Sequence, residues 1–481
     1  MAADTFASIV AEPLRTARFL ARWMALGVPL GIAVGSAVAL FLASLDAVTA
    51  LRWREPWLLY LLPVAGLVTA VAYRLFGPAA EAGNNLILDR IHEPGGGGVP
   101  LRMAPLVLAG TLLTHLCGGS AGREGTAVQM GGGIAGGLAN WLRLAPHDTR
   151  LLLMAGVAAG FGAVFGTPLA GAVFAIEVLA IGRLNHEPLV PCLVAALVGD
   201  ATTTAWGIEH THYLVPSFLP LANAARATAA TAAMTAADGR EVVGLAFDGW
   251  LLGKIALASL AFALASVLFS ELTHGVQRLA RSWIRWPLAR PIVGGLLVIG
   301  LAAVLGRSDY LGLGVVAAPS SDAASVASGP RPVSIVSSFS PGGAEPLSWL
   351  HKTVFTAVTV GHGFKGGEVT PLFFVGASLG NVMAELLDAP VGLFAALGFV
   401  AVFGGATKTP LASTLMALEL FPPGNPELMR SGFVVYVAAA CLLTYVLSGQ
   451  ASIYLSQRSR RDAAEHSATD RSPTLRELRV R

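Results

Sequence analysis

Phe161-Gly162-Ala163-Val164-Phe165-Gly166-Thr167-Pro168-Leu169-Ala170-Gly171-Ala172-Val173-Phe174-Ala175-Ile176-Glu177 returns, without a gap, as Phe403-Gly404-Gly405-Ala406-Thr407-Lys408-Thr409-Pro410-Leu411-Ala412-Ser413-Thr414-Leu415-Met416-Ala417-Leu418-Glu419. Phe-Gly, Thr-Pro-Leu-Ala and the closing Ala-Ile-Glu or Ala-Leu-Glu keep the same spacing in both copies. Upstream of each lies a second matched element, Gly122-Arg123-Glu124-Gly125-Thr126 and Gly366-Gly367-Glu368-Val369-Thr370. Chance explains one match in a chain with 55 glycines, but not two in the same order at similar separation. The chain is read as two repeats of one plan, about 15–245 and about 250–455.

Composition places those repeats in a lipid bilayer. The 481 residues are 54% hydrophobic and 13% charged, about half the charge of a soluble domain. Mean hydropathy is +0.66. A net charge of +3 gives no basic field for nucleic acid. Cys117, Cys192 and Cys441 lie far apart in apolar segments, which excludes a disulfide framework and a paired-cysteine metal site. The first twenty or so residues, with Asp4, Glu12, Arg15 and Arg18, lack the layout of a cleaved signal peptide. The expectation is an all-α polytopic membrane protein with no cofactor.

Apolar stretches fall near 19–45, 56–76, 104–117, 126–142, 151–166, 168–182, 188–206, 250–270, 291–306, 352–361, 371–386, 390–405, 410–421 and 432–449. Several are shorter than the roughly 20 residues that cross a bilayer. Broken helices at membrane depth are tolerated only where protein or a watery cavity surrounds their ends, and such breaks point to a transporter's binding site. Arg15, Arg18 and Arg22, the cluster Arg278, Arg281, Arg285 and Arg290, and the arginine-rich tail 456–481 read as cytoplasmic, so both termini are expected inside the cell membrane. The connection 206–248, with an alanine-threonine stretch, reads as external; it and 307–348 look like insertions. The tail either touches anionic lipid or is simply solvated.

Each matched break is read as a helix that starts inside the membrane with unpaired N–H groups facing a cavity. The helix dipole attracts an anion by about 0.3–2 kcal/mol, whereas burying a bare ion costs on the order of tens of kcal/mol. Several converging donors are therefore needed. The backbone near Gly122, Arg123, Glu124 and Gly125, and near Glu368, Val369 and Thr370, supplies candidates. Glycines that only permit close packing are the alternative.

Glu124 has two readings. An ionised carboxylate at such a helix start competes with an anion for the same donors and releases them on protonation, making it both gate and proton carrier. Otherwise it is a structural partner of Arg123. Glu368, at the second break, is either functional or a capping acid paired with Lys365.

These residues carry a resemblance. Gly122-Arg123-Glu124-Gly125, the duplicated plan and Glu81-Ala82-Gly83 resemble the CLC anion channels and transporters over about residues 25–456. Most CLC proteins follow that glycine with Ser-Gly-Ile-Pro, and the serine binds chloride; here Gly83-Asn84-Asn85-Leu86-Ile87 puts Asn85 at the serine position. The usual proline after Arg-Glu-Gly is Thr126, and the usual Gly-x-Phe-x-Pro is Gly367-Glu368-Val369-Thr370-Pro371. Together these departures resemble the CLC-F branch, the bacterial fluoride/proton antiporters.

The resemblance implies a CLC-like fold of inverted-topology repeats with many tilted and broken helices, in a single transmembrane domain over 1–455. It also implies a homodimer with a pore in each subunit and Glu124 as the gating and proton-transfer residue. The tyrosine whose hydroxyl faces the central anion maps to Tyr454. Asn85, Gly122, Arg123, Gly125, Glu368, Val369, Thr370 and Tyr454 are the anion-binding candidates. Val178 stands where chloride/proton antiporters usually keep an internal proton-transfer glutamate, which fits the fluoride branch and equally a passive chloride channel. Fluoride and protons are the implied cargo, with a chloride channel or chloride/proton exchanger as the alternative.

Fluoride is smaller and more tightly hydrated than chloride, so its site needs strong, close donors. Asn85 offers an amide NH2 and Tyr454 a hydroxyl. A helix cap is the competing role for Asn85, and an interfacial aromatic for Tyr454. Thr126 and Thr370 are also read as caps.

A rival from another class comes from Gly118-Gly119-Ser120-Ala121-Gly122 with His115 nearby, the string of a serine hydrolase, although it lies between membrane segments rather than on a strand–turn–helix. No Walker A or HExxH string is present. His92, His115, His351 and His362 lack metal-ligand spacing.

Overall fold

A computed structural model describes residues 2–93, 98–182, 184–211, 213, 215, 248–317, 332–421 and 432–459, with side chains from residue 15 onward. Among these residues the chain is all-helical, with two isolated bridges and no strands. The first repeat runs α1 (Ala2–Arg54), α2 (Leu62–Phe76), α3 (Asn84–His92), α4 (Met103–Leu116), α5 (Glu124–Trp141), α6 (Pro146–Phe165), α7 (Pro168–Glu177) and α8 (Leu189–Ala205). The second runs α9 (Gly249–Trp283), α10 (Ala289–Leu305), α11 (Ser348–Gly361), α12 (Val369–Leu386), α13 (Val391–Thr407), α14 (Pro410–Leu420) and α15 (Phe433–Leu447).

The expected apolar stretches are helices, with two differences. α1 and α9 extend well past 19–45 and 250–270, because their ends carry polar residues that a hydropathy reading discards. α3 is absent from the apolar stretches, although the cap reading of Asn85 implies a helix start there: Asn84-Asn85-Leu86-Ile87-Leu88-Asp89-Arg90-Ile91-His92 is too polar to register as a span, yet Leu86, Ile87, Leu88 and Ile91 are buried. The parts of the two insertions and of the tail that fall on 216–247, 318–331 and 460–481 lie outside the described residues. The tail was expected to begin at 456, but Ser456, Gln457 and Ser459 are buried in the helical body.

Burial sorts the helices into an inner and an outer set. On α6 every residue from Leu151 to Phe165 is buried, and on α13 every residue from Gly392 to Thr407. A helix apolar all round and buried all round lies at the centre of the fold. The outer set leaves Leu40, Val64, Leu264, Leu296 and Val446 exposed, an apolar rim suited to lipid tails. Five helical stretches among the described residues are long and apolar enough to cross a membrane.

Without a hydrophobic drive between helices in lipid, association rests on close backbone approach. Gly131 on α5 faces Gly156 on α6, and Gly376 on α12 faces Gly398 on α13; a Cβ on any of the four would overlap the partner's carbonyl oxygen. These pairs lie within each repeat; between the repeats the joint is a polar exchange. Glu177, ending α7, accepts from the N–H groups of Leu411 (3.1 Å) and Ala412 (2.8 Å) at the start of α14. Glu419, near the end of α14, accepts from Leu169 (2.9 Å) and Ala170 (2.8 Å) at the start of α7. The Thr-Pro-Leu-Ala and Glu of the sequence repeat are thus two halves of one interlock, each acid filling orphan donors at the other repeat's helix start.

Overpacking a close-packed site costs typically about 1–3 kcal/mol. Gly398→Ala is therefore expected to lower the thermal transition of the detergent-solubilised protein. Gly253→Ala on α9, where nothing lies within 4 Å of the added Cβ, serves as the control and should leave the transition unchanged or raise it.

Candidate functional site

The two glycine breaks meet. The Gly122 N–H donates to the Gly367 carbonyl and the Gly367 N–H to the Gly122 carbonyl, each at 2.6 Å. Side chains have no room here: a Cβ on Gly367 would stand 2.7 Å from the Gly125 nitrogen, and one on Gly122 2.9 Å from the Glu124 carboxylate. This pairing brings the starts of α5 and α12 together inside the fold. It also corrects the register of the repeat. Gly122 answers to Gly367, so Glu124, the first residue of α5, answers to Val369, the first residue of α12. Glu368 instead answers to Arg123, as the residue before the helix.

Glu124 is 1% exposed and reaches across to the other repeat. One carboxylate oxygen accepts from the Thr370 N–H at 3.0 Å and from the Arg123 N–H at 3.1 Å. The Thr370 hydroxyl lies 2.6 and 2.5 Å from the two oxygens. The Arg123 Nε is 3.5 Å away, so the ion pair expected of a structural carboxylate is present only as the longest of these contacts. Thr370 therefore serves Glu124 rather than capping its own helix. Thr126 does not cap either; its hydroxyl pairs with that of Thr111 at 2.7 Å.

The two helix starts differ. Neither Arg123 nor Glu368 caps its helix with a side chain. The α12 start receives the Glu124 carboxylate, whereas among the described residues no protein acceptor is seated on the N–H groups of Gly125 and Thr126 at the α5 start. Glu368 does not pair with Lys365. The Lys365 ammonium lies 4.1 Å from the Tyr73 ring and 3.4 Å from the Glu81 carbonyl. Among the described residues, the Glu368 carboxylate has neither a hydrogen-bond nor an ion-pair partner.

Asn85 and Tyr454 come from opposite ends of the chain. The turn into α3 is made by Gly83 at φ +59°, a conformation open to glycine, and Asn85 is the second residue of the helix, not its cap. Its Oδ1 accepts from the Ser456 N–H at 3.0 Å, leaving the amide Nδ2 as its donor. Tyr454 is buried rather than interfacial. Its ring meets Phe174 edge-on at 6.5 Å, beside the stacked Phe161, Phe174 and Phe403.

The hydrolase geometry is not formed. The Ser120 hydroxyl pairs with Thr356 at 2.9 Å, and both ring nitrogens of His115 face carbonyls, Thr111 at 2.8 Å and Ala121 at 3.1 Å. Ser120 and His115 form no nucleophile–base pair, and the segment joins two helices rather than leaving a strand. No cluster of metal-ligating side chains occurs among the described residues. Two residues near the breaks escaped the sequence reading. Asn84 lies against Gly125 with a buried, unpartnered Oδ1, and Gln129, on α5, lies against Gly83. A polar amide within glycine-rich, apolar surroundings was the available signal for both.

The sequence model of the voltage gated chloride channel family matches residues 65–449 of this chain. The chain belongs to the CLC family. A chloride/fluoride channel protein of Pseudomonas syringae pv. tomato is 44% identical to this CLC chain over 426 residues, covering 87% of this chain and 82% of the relative. Among solved structures, a CLC-type fluoride/proton antiporter superposes with a TM-score of 0.76 at 31% identity, covering 92% of this chain and 98% of the other. A slow cyanobacterial Cl−/H+ antiporter shares the fold at a TM-score of 0.66 and 18% identity, covering 90% and 96%. The all-helical, broken-helix architecture expected from the sequence is thus the CLC architecture.

Because the Thr370 hydroxyl is the shortest contact of Glu124, Thr370→Val should shift the carboxyl infrared band that Glu124→Gln identifies. An unmoved band would show that the hydroxyl is not a ligand of this carboxylate.

Proposed function

We propose that this CLC protein exports fluoride from the cytoplasm in exchange for protons. The observation that carries the reading is the Glu124 carboxylate seated on the Thr370 hydroxyl and N–H, donors of the kind a bound anion needs. An anion and an ionised carboxylate cannot both hold those donors. Protonation removes the charge that the helix start attracts, frees the donors for fluoride and loads the side chain with the proton to be carried. The open donors of the α5 start, the amide Nδ2 of Asn85 and the hydroxyl of Tyr454 would replace the water that fluoride sheds, with Glu368 and Val369 beside the path.

Fluoride is favoured over chloride by the residues at which this chain departs from most CLC proteins, namely Asn85, Thr126 and the run Glu368-Val369-Thr370. The relatives whose names include fluoride are also the more similar among those compared. Val178 leaves the internal proton-transfer position of chloride/proton exchangers without an acid. In this reading the protein is a secondary transporter rather than an enzyme. It lies in the cell's inner membrane with both termini cytoplasmic, and it pairs as a homodimer with one pore per subunit, in contact with membrane lipid.

A chloride channel or chloride/proton exchanger is the second reading, since the Pseudomonas relative is named for both anions. Parallel fluoride and chloride efflux from proteoliposomes, followed with an external pH electrode, separates them. Fluoride efflux with stoichiometric proton uptake is expected, with chloride much slower. Glu124→Gln, which keeps the shape but cannot carry a charge or exchange a proton, is expected to abolish proton-coupled fluoride movement. Retained stoichiometric uptake in that variant would exclude the glutamate as carrier.

A further inference from the structure

The segment that carries Tyr454 leaves α15 and threads back through the body between the two repeats. The Ile453 N–H donates to the Ala406 carbonyl at 3.0 Å on the second repeat. The Arg458 N–H donates to the Leu179 carbonyl at 3.2 Å, and the Ile181 N–H to the Arg458 carbonyl at 3.0 Å, on the first. One side chain in the segment holds both repeats at once. Gln457 is 0% exposed, and its Nε2 donates to the Val178 carbonyl at 2.9 Å, just beyond α7, and to the Thr407 carbonyl at 2.7 Å, at the end of α13. Its Oε1 accepts from the Ser452 hydroxyl at 2.5 Å.

Those bonds converge on the candidate anion ligands. The Ser452 oxygen that donates to Gln457 also accepts the Tyr454 N–H at 3.1 Å, and the Gln457 N–H closes the turn on the Tyr454 carbonyl at 3.3 Å. Tyr454 is therefore clamped at both its backbone groups. Ser456, inside the same turn, gives its N–H to the Oδ1 of Asn85, which fixes which face of that amide presents its NH2. One turn thus sets the backbone of Tyr454 and the orientation of Asn85, and Gln457 pins that turn to both repeats.

We infer that Gln457 is a positioning residue for anion specificity, holding the Asn85 and Tyr454 donors at the separation a small anion requires. The inference rests on the fluoride reading above. A fixed, narrow pair of donors compensates the dehydration of fluoride and leaves chloride under-coordinated. A loosened pair opens to the larger anion and loses strength for the smaller. Gln457→Met keeps the volume but deletes both donors and the acceptor, leaving two buried carbonyls and a hydroxyl without their partner.

The test is the ratio of initial fluoride to chloride efflux from proteoliposomes, wild type against Gln457→Met, with monodispersity on size exclusion as the folding check. The ratio is expected to fall about tenfold, the size of roughly one net buried hydrogen bond. Ser452→Ala leaves both Gln457 amide donors in place and removes the hydroxyl that bonds the Gln457 Oε1, together with the acceptor of the Tyr454 N–H, so a fall of about threefold is expected from this partial loosening of the turn; it carries the test should Gln457→Met not fold. A merely structural role would slow both anions together, and a ratio unchanged in the folded variants overturns the inference. A wild type that passes no fluoride overturns the fluoride reading itself, whereas one that passes fluoride with unchanged variant ratios overturns only the role of Gln457.

Discussion

A helix that begins inside a membrane exposes N–H groups that neither lipid nor its own backbone can satisfy. This fold meets that constraint by having one repeat supply acids to the other. Glu177 fills the start of α14, Glu419 the start of α7, and Glu124 the start of α12. In each case the acceptor lies far away in sequence, so the helix starts become satisfied only when the repeats have come together. Close glycine packing along α5–α6 and α12–α13 holds the helices within each repeat, Gly122, Gly125 and Gly367 permit the approach of the two breaks, and the acids fix its register.

The sequence made the duplication, the broken helices and Glu124 legible, because each leaves a local signal: a repeated string, an apolar run too short to span, an acid at a glycine break. Register was another matter. Aligning Glu368 with Glu124 is the natural reading of two Gly-x-Glu-x-Thr-like strings, yet the Gly122–Gly367 pairing moves the correspondence by one residue and places Val369 opposite Glu124. A string comparison cannot see a hydrogen bond between two breaks. The same limit hid the partners of Glu177 and Glu419, which close the repeated motif but act on the opposite copy. α3 is absent from the apolar stretches because its buried face is narrow and the remainder polar. Gln457 falls in what reads as a basic cytoplasmic tail, since nothing local distinguishes a glutamine in a basic terminus from one bonded to two helix ends.

The shifted register has a functional consequence. Had an acid stood at 369, both central helix starts would carry a carboxylate from the opposite repeat and the interlock would be symmetric. With valine there, the start of α5 keeps its Gly125 and Thr126 donors free of any protein acceptor among the described residues, while Glu368 stands one position back without a partner. The exchange of acids is thus complete at α7, α12 and α14 and incomplete at α5. An anion is attracted most strongly where donors converge and no carboxylate already neutralises them, and in the proposed reading that place is the α5 start, beside an acid seated on a hydroxyl as well as on backbone donors.

In the proposed exchange, the ligands of each acid separate a structural carboxylate from a movable one. Glu177 and Glu419 each hold two consecutive backbone N–H groups, fixed donors that hold the carboxylate against its helix. Glu124 draws on a side-chain hydroxyl, a backbone N–H of its own loop and one N–H of α12, with no second consecutive N–H. A hydroxyl can turn, giving its proton to a carboxylate or accepting one from a carboxylic acid, so protonation at Glu124 need not leave a buried donor unpaired. Protonating Glu177 or Glu419 would set an O–H against one of its two N–H donors and damage the interlock. The same residue type therefore serves as a fixed bolt at two helix starts, and in the proposed exchange the chemistry of Thr370 is what would let it serve as a latch at the third.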